Sequence, residues 1–241
     1  MNIPGESAPE SIPPRLDELT EQWFEASVAN RYSYNFTWLG RPVIQYPQDL
    51  VMLQEIIWET QPELIIETGI AHGGSLIFSA SMLELNAACG GPSGARVLGV
   101  DIDIRQHNRI AIEQHAMFRR ISMIEGSSTD PIVVEQVQAA ANGRSSVLVI
   151  LDSSHTYAHV RDELEAYAHL ASVGSYCVVF DTAIEDLPAN FNMDRPWGPG
   201  NSPKTAVREF LSQNPDFVSE ESIDRKLLIS VAPEGYLRRI S

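Results

Sequence analysis

The sequence predicts an α/β fold: a doubly wound, mostly parallel sheet of seven strands, preceded by an N-terminal helical extension. Apolar runs of strand length alternate with segments whose apolar residues recur every three or four positions, as on one face of a helix. The apolar runs are continuous, which is typical of parallel strands covered on both faces. Four of these runs end in an acid, at Glu67, Asp101, Asp152 and Asp181. Parallel strands of one sheet end at the same edge, so the fold is expected to gather these acids there.

Composition limits the classes of protein to consider. The chain has 241 residues, of which 44% are hydrophobic, enough for one large domain with a substantial core. A formal net charge of −15 argues against nucleic acid and against anionic membrane surfaces as partners. No apolar run reaches the roughly 20 residues that span a bilayer. The start of the chain does not resemble a signal peptide, and Cys89 and Cys177 do not form a disulfide framework. A cytoplasmic protein is expected.

The chain divides into an N-terminal region, residues 1–46, and a domain over residues 47–241. Four prolines in residues 1–15 indicate a flexible arm, and residues 16–28 have helical spacing. Residues 31–46 are aromatic and irregular. This segment could cover a pocket or pack on a neighbouring subunit, and we expect a homo-oligomer.

In this domain the sequence predicts alternating strands and helices, with a terminal hairpin. Strands are predicted at 64–67, 97–103, 121–124, 146–151 and 176–180, with further extended segments at 217–223 and 227–232. Helices are predicted at 47–60, 76–85, 109–118, 132–141, 160–171 and 203–211, with loops at 86–95 and 188–201.

A glycine-rich turn follows the first strand of the domain. It reads Glu67-Thr-Gly69-Ile-Ala-His-Gly73-Gly74-Ser75, which matches neither the dinucleotide-binding Gly-x-Gly-x-x-Gly spacing nor a P-loop. Glycines let a ligand approach the backbone closely. An acid before the turn suits a cationic ligand, and S-adenosylmethionine, with its ammonium and sulfonium groups, is the first candidate. The alternative is a tight turn that binds nothing.

Two later strand ends extend this candidate cofactor site. Asp101 ends the second strand, where an acid accepts hydrogen bonds from a ribose diol. Ser127 follows the third strand, where an adenine edge would lie. Each has an ordinary turn residue as its alternative interpretation.

The ends of the fourth and fifth strands predict a metal and a base. Asp152 and Asp181 offer carboxylate oxygens to a hard cation such as Mg²⁺, and Glu185 and Asp186 could add further ligands. His155, with an ordinary pKa of about 6.5, can take a proton at neutral pH. In the alternative interpretation Asp152 caps the next helix and His155 is a surface residue. A third possibility is an iron site of two histidines and one carboxylate, from Asp152, His155 and His159.

Together these motifs resemble the cephalosporin hydroxylase/rhamnosyl O-methyltransferase family, whose members look like class I S-adenosylmethionine-dependent methyltransferases. The resemblance covers roughly residues 46–211. It rests on the segments 67–75, 99–103, 125–128, 152–155, 180–188, 194–201 and 203–207.

The resemblance implies a Rossmann-like domain and a set of site residues. It implies a cofactor site at Glu67, Gly69, Asp101 and Ser127, to which we add Gly73, Ser75 and Asp152. It implies metal ligands at Asp152 and Asp181 and a general base at His155. Related sugar methyltransferases often place two adjacent acid or amide ligands after the fifth strand. In this chain Phe180 precedes Asp181, and the adjacent acid pair is Glu185-Asp186.

The sequence therefore predicts an S-adenosylmethionine-dependent, Mg²⁺-assisted O-methyltransferase that acts on a hydroxyl of a small natural product or sugar. Its expected setting is secondary metabolism, such as antibiotic biosynthesis. The first alternative is an iron-dependent hydroxylase. The second is a non-catalytic partner protein that binds the same cofactor.

Overall fold

A computed structural model describes residues 14–192 and 194–241 of the chain. Most of the predicted N-terminal arm lies outside these residues. The N-terminal region contains α1 (Pro14–Ala29), a hairpin of β1 (Phe36–Trp38) and β2 (Arg41–Val43), and leads into α2 (Pro47–Thr60).

The domain alternates strands and helices, as predicted. Its strands are β3 (Leu64–Thr68), β4 (Arg96–Asp101), β5 (Ile121–Glu125), β6 (Val147–Leu151), β7 (Tyr176–Val179), β8 (Phe217–Ser219) and β9 (Tyr236–Arg239). Its helices are α3 (Gly74–Ala88), α4 (Gln106–Glu113), α5 (Pro131–Ala141), α6 (Tyr157–Tyr167), α7 (Pro203–Gln213) and α8 (Glu221–Leu227).

The sheet has seven strands in the order β5-β4-β3-β6-β7-β9-β8. The first five are parallel, and β9 pairs antiparallel with both β7 and β8. This confirms the predicted fold class. The chain builds β3, β4 and β5 outward in one direction and then returns to place β6 on the other side of β3. At such a switch point the adjoining loops separate and leave a crevice at the carboxyl ends of the strands.

Two hydrophobic clusters cover the two faces of the sheet. Ile65 and Ile66 are neighbours on β3 and point to opposite faces, yet neither is exposed to solvent. Ile65 packs in a cluster with residues of α2 and α3, whereas Ile66 packs in one with residues of α5 and α6. Burial on both faces explains why the strands read as continuous apolar runs.

The C-terminal segment differs from the predicted hairpin. Residues 227–232 form no strand: α8 occupies Glu221–Leu227, and the strand that pairs with β8 is β9. Hydrogen bonds to the buried carboxylate of Asp49 hold this segment instead, through the Ser230 hydroxyl at 2.6 Å and the Val231 amide at 3.0 Å. A contact with a residue so distant in sequence leaves no local pattern.

Several helix boundaries also differ from prediction. The helix expected at 109–118 is α4, which begins at Gln106 and ends at Glu113, followed by a 3₁₀ turn at Ala116–Arg120. The helix expected at 76–85 begins at Gly74 and continues to Ala88, so part of the predicted loop is helical.

The aromatic segment packs mainly within the chain. Tyr32 contacts Trp23, Phe36 and Tyr46, with ring centroids 5.0 to 5.6 Å apart. The Trp38 indole N–H donates to the Ser81 hydroxyl at 2.9 Å. The segment therefore joins α1 to the domain, and these side chains have partners without a second subunit.

Candidate active site

The glycine turn is packed between β6 and β2. Gly69 has φ +89°, and a Cβ there would lie 2.0 Å from the backbone oxygen of Asp152. A Cβ on Gly74 would lie 2.1 Å from the Pro42 oxygen. Gly73, with φ +80°, faces Ile112 and lines neither of the two cavities described below. These glycines thus allow close backbone approach within the protein itself.

Glu67 lies beneath the turn and is 2% exposed. Within the described part of the chain, its Oε2 atom has no hydrogen-bond partner. Burial raises the pKa of Glu67 to about 7, and the nearby hydroxyls of Ser75 and Ser79 partly offset the rise. A buried, unpartnered carboxylate oxygen next to a glycine turn favours a cationic group on a bound ligand.

Asp101 both holds the turn and faces the cleft. Its Oδ2 accepts from the amides of Ile70 at 2.7 Å and Ala71 at 3.2 Å, and its Oδ1 accepts from the Asp103 amide at 3.1 Å. A carboxylate has about four lone-pair sites, so acceptor capacity remains for a ligand hydroxyl.

A cleft of about 380 Å³ opens at the switch point of the sheet, lined in part by Gly69, Asp101, Ser127, Asp152 and His159. A smaller cavity of about 50 Å³ adjoins it, lined in part by Gln45, Gly69, Ser75 and Asp152. The structure thus brings most of the sequence-predicted cofactor residues to two adjoining cavities. Glu67 is buried at the end of β3, two residues before Gly69.

Asp152, His155 and Asp181 form a cluster beside the cleft. Each offers a potential ligand atom, and these atoms lie within 4.8 Å of one another. The His155 Nε2 atom is 3.1 Å from Asp181 Oδ2. Desolvation raises the pKa of Asp152 well above its usual range, and the negative charge of Asp181 adds to the rise.

The structure does not bring Glu185 and Asp186 to this cluster. Glu185 accepts hydrogen bonds from the Gly200 amide at 2.9 Å and the Ser202 hydroxyl at 2.5 Å. Asp186 pairs with Lys204 at 2.5 Å. Both acids fix the start of α7 and the loop before it. The extra metal ligands expected from this pair are therefore absent from the cluster, because the 3₁₀ turn after Asp181 directs them toward α7.

His159 also lies apart from the cluster. Its Nε2 is 3.0 Å from the Ser128 hydroxyl and 3.5 Å from Glu163 Oε1. Hydrogen bonding to Glu163 raises the pKa of His159. The two-histidine iron site expected as an alternative is therefore not assembled, because His159, on the first turn of α6, is directed to Ser128 and Glu163.

Sequence reasoning missed two residues of the site. Gln45, 4% exposed, donates from Nε2 to Asp152 Oδ2 at 2.9 Å. The rings of Trp197 and His155 pack in a T-shaped arrangement, with centroids 4.8 Å apart and planes at 84°. No local pattern marks Gln45, which is 107 residues from Asp152. The Trp-Gly-Pro-Gly sequence of the 188–201 loop was a visible signal for Trp197, although it did not indicate a partner.

The donor set suits a hard divalent cation. Two carboxylates face each other across the cluster, and over residues 14–192 and 194–241 neither pairs with a lysine or arginine. Mutual repulsion is offset when a cation lies between such groups, and carboxylate oxygens are the ligands that Mg²⁺ prefers.

Comparison with known proteins identifies the family. The model of the rhamnosyl O-methyltransferase/CmcI family matches residues 30–240. The chain belongs to this family. It is a family of S-adenosylmethionine-dependent O-methyltransferases, which confirms the resemblance and the enzyme class predicted from the sequence.

Relatives within the family include two mycobacterial enzymes. A rhamnosyl O-methyltransferase of Mycobacterium tuberculosis is 31% identical over 228 residues, covering 92% of this chain and 86% of the relative. The enzyme of the same name from Mycobacterium leprae is 28% identical over 225 residues, covering 92% and 91%.

Solved structures of CmcI share the fold. The apo structure of CmcI-N160 has a TM-score of 0.61 and 18% identity, covering 98% of this chain and 88% of the other. The Mg-SAM structure of cmcI-D160 has a TM-score of 0.59 and 17% identity, covering 86% and 78%. At these identities the likeness establishes the Rossmann-like methyltransferase architecture.

Proposed function

We propose that this enzyme transfers a methyl group from S-adenosylmethionine to a hydroxyl of a sugar unit or another small natural product, with Mg²⁺ assistance. The observation that carries the proposal is the convergence of Asp152, His155 and Asp181 on one small volume beside the cleft. The names of the rhamnosyl O-methyltransferases and the Mg-SAM structure of cmcI-D160 support it.

Polar groups of the cleft support a place for the cofactor. Asp101 and Ser127 line the larger cavity and would hold the adenosine. Gly69 and Ser75 line the smaller cavity and would lie against the cationic amino-acid end, with the buried Glu67 carboxyl on the strand before them. When bound, the cofactor supplies a methyl group on a positively charged sulfur.

Asp152 and Asp181 would hold the metal. When bound, Mg²⁺ would supply positive charge that lowers the pKa of the acceptor hydroxyl. His155 is placed to take the proton. Its Nε2 atom lies 3.1 Å from Asp181 Oδ2, so the carboxylate would stabilise the imidazolium that forms when Nδ1 takes the proton.

In the proposed single displacement the acceptor hydroxyl would give its proton to His155 Nδ1. The acceptor oxygen would receive the methyl group that the cofactor supplies, and the carbon–sulfur bonding pair would stay on sulfur. The protein's contribution is to position the groups and complement their charges.

The direct test follows the fate of a labelled methyl group. Purified enzyme is incubated with methyl-labelled S-adenosylmethionine, Mg²⁺ and a panel of rhamnosides, other glycosides and phenolic natural products. Label on an acceptor oxygen supports the proposal. Tight cofactor binding with no transfer to any hydroxyl would favour the non-catalytic partner protein, and oxygen-dependent hydroxylation without transfer would favour the hydroxylase.

We also propose a homo-oligomer located in the cytoplasm. Exposed apolar side chains in the N-terminal region support the homo-oligomer: Leu16, Leu19, Trp23, Tyr34 and Leu39.

Two free cysteines, as expected in a reducing compartment, support the cytoplasmic location. No helix among the described residues is long and apolar enough to cross a membrane.

A further inference from the structure

Gln45 stands at the junction between the N-terminal region and the site. It follows β2 and precedes α2, and its side chain reaches the end of β6, where Nε2 donates to Asp152 Oδ2 at 2.9 Å. The preceding residues are anchored on the glycine turn: Arg41 Nε donates to the His72 oxygen at 3.1 Å, and Pro42 lies against Gly74. Gln45 is therefore held in place from the N-terminal side.

The other end of the Gln45 amide has no protein partner. Its Oε1 is buried, and among the residues that the structure describes no donor lies within hydrogen-bond distance. A buried amide oxygen without a partner is costly. The side chain lines the cavity of about 50 Å³, which has room for a small polar group.

The position of this cavity indicates what fills it. It shares Gly69, Ala71 and Asp152 with the cleft of about 380 Å³, so the two cavities adjoin. Asp101 and Ser127 line only the wider part. A cofactor whose adenosine occupies that part would direct its amino-acid end past Gly69 toward Gln45. An ammonium there brings three N–H donors.

We infer that Gln45 joins the cofactor and metal halves of the site. Its N–H holds the Asp152 carboxylate in position for the metal, and its oxygen accepts a hydrogen bond from the ammonium group of the cofactor. The inference rests on the proposed function and adds a residue from outside the sheet domain. Gln45 is thus a cofactor contact through Oε1 and a positioning residue through Nε2.

Calorimetry with two ligands tests the cofactor half. S-Adenosylhomocysteine carries the ammonium group, whereas 5′-methylthioadenosine lacks the amino-acid end. Gln45→Leu should weaken binding of S-adenosylhomocysteine about 10- to 100-fold, the worth of a hydrogen bond to a charged group. Binding of 5′-methylthioadenosine should not change, which also shows that the variant is folded. Gln45→Glu keeps an acceptor oxygen and should retain binding of S-adenosylhomocysteine.

Mn²⁺ binding, followed by electron paramagnetic resonance without acceptor, tests the metal half. Gln45→Leu should lower the Mn²⁺ affinity about 10- to 100-fold, as is usual when the hydrogen bond that orients a ligating carboxylate is lost. Gln54→Leu, an equal change at an exposed position of α2, is the control and should alter neither ligand.

The outcomes separate this inference from the proposed function. Unchanged binding of S-adenosylhomocysteine to Gln45→Leu means that the cavity holds only water, and it overturns the inference. So does unchanged Mn²⁺ affinity in Gln45→Leu when Asp152→Ala lowers it. If Asp152→Ala also leaves Mn²⁺ affinity unchanged, the metal site of the proposed function fails as well.

Discussion

His155 is the residue on which the proposed chemistry most depends. Its Nε2 atom lies 3.1 Å from Asp181 Oδ2, and its ring packs against that of Trp197. In the proposed reaction Nδ1 would take the acceptor proton. His155→Ala should lower kcat by roughly 10²- to 10⁴-fold, the usual effect of a positioned base. High pH should restore part of the rate, because the acceptor hydroxyl then ionises without help.

The matched control is His169→Ala, an exposed histidine that lines a cavity with the start of β6, at the opposite edge of the sheet. It should retain the wild-type rate at every pH. If the His155→Ala variant has the wild-type kcat, or if its loss of kcat does not become smaller as pH rises, His155 is not the general base.

Site residues that lie directly after a strand were predicted from the sequence more accurately than site residues that reach the site from other segments. Asp152 and Asp181 meet because adjacent parallel strands end at one edge. Glu185 is four residues beyond Asp181, and its direction depends on a 3₁₀ turn and on donors from α7. Gln45 depends on how a separate segment folds over the turn. Neither outcome is encoded in a local pattern.

At the scale of elements, the glycine turn couples β3 to β6. Gly69→Ala places a methyl group 2.0 Å from the Asp152 backbone oxygen at a φ of +89°. The end of β6 must shift, and the strain should weaken cofactor binding and lower the free energy of unfolding by roughly 1–3 kcal/mol.

Gly94→Ala is the control for this substitution, since an added Cβ there meets no atom within 4 Å. Urea unfolding and calorimetry with S-adenosylhomocysteine on both variants give the comparison. Equal stability and equal affinity in the two would contradict the tight packing of the turn on β6.

A second element-scale feature joins α2 to the C-terminal segment through Asp49. This residue is fully buried and accepts from Ser230, Val231 and Tyr236. Burial raises the pKa of Asp49 to about 6. Because the pKa is raised on folding, the stability that its protonated form contributes is fully present below about pH 4 and is lost as pH rises through about 6.

Asp49→Asn removes this titration at nearly constant volume. The free energy of unfolding of the wild type, relative to the variant, should therefore fall by roughly 2 kcal/mol between pH 4 and pH 7. Urea titrations of both proteins across this range measure the difference. Parallel pH profiles would mean that the pKa of Asp49 is the same in the folded and unfolded chains, which would contradict the raised value.

For the whole molecule, the sequence predicted the parallel strands of the sheet well. It predicted the antiparallel edge of the sheet and the aromatic N-terminal segment less well. Continuous apolar strands and amphipathic helices specify a sheet with two covered faces, and β3 to β7 follow that rule. The antiparallel edge depends on contacts such as those of Asp49 with residues 230–236, which local periodicity does not report. The aromatic segment packs on its own chain because α1 and α3 supply partners for Tyr32 and Trp38.

The oligomeric state is a second property of the whole molecule that can be tested. If the exposed apolar side chains of α1 pack on another copy, light scattering at micromolar concentration should give a multiple of the 26.7 kDa chain mass. Leu19→Glu should reduce that mass, because Leu19 is 51% exposed and a charge there would oppose burial. Glu18→Gln, next to it, serves as the control. A monomeric wild type would contradict the homo-oligomer.

The central claim is that the cluster of Asp152, His155 and Asp181 performs metal-assisted methyl transfer. The most direct measurement is the rate of methyl transfer to a hydroxyl acceptor in excess chelator, followed by addition of Mg²⁺. We expect chelation to abolish transfer, Mg²⁺ to restore it, and the Asp152→Ala variant to stay inactive under both conditions. A full rate of transfer in chelator would contradict it.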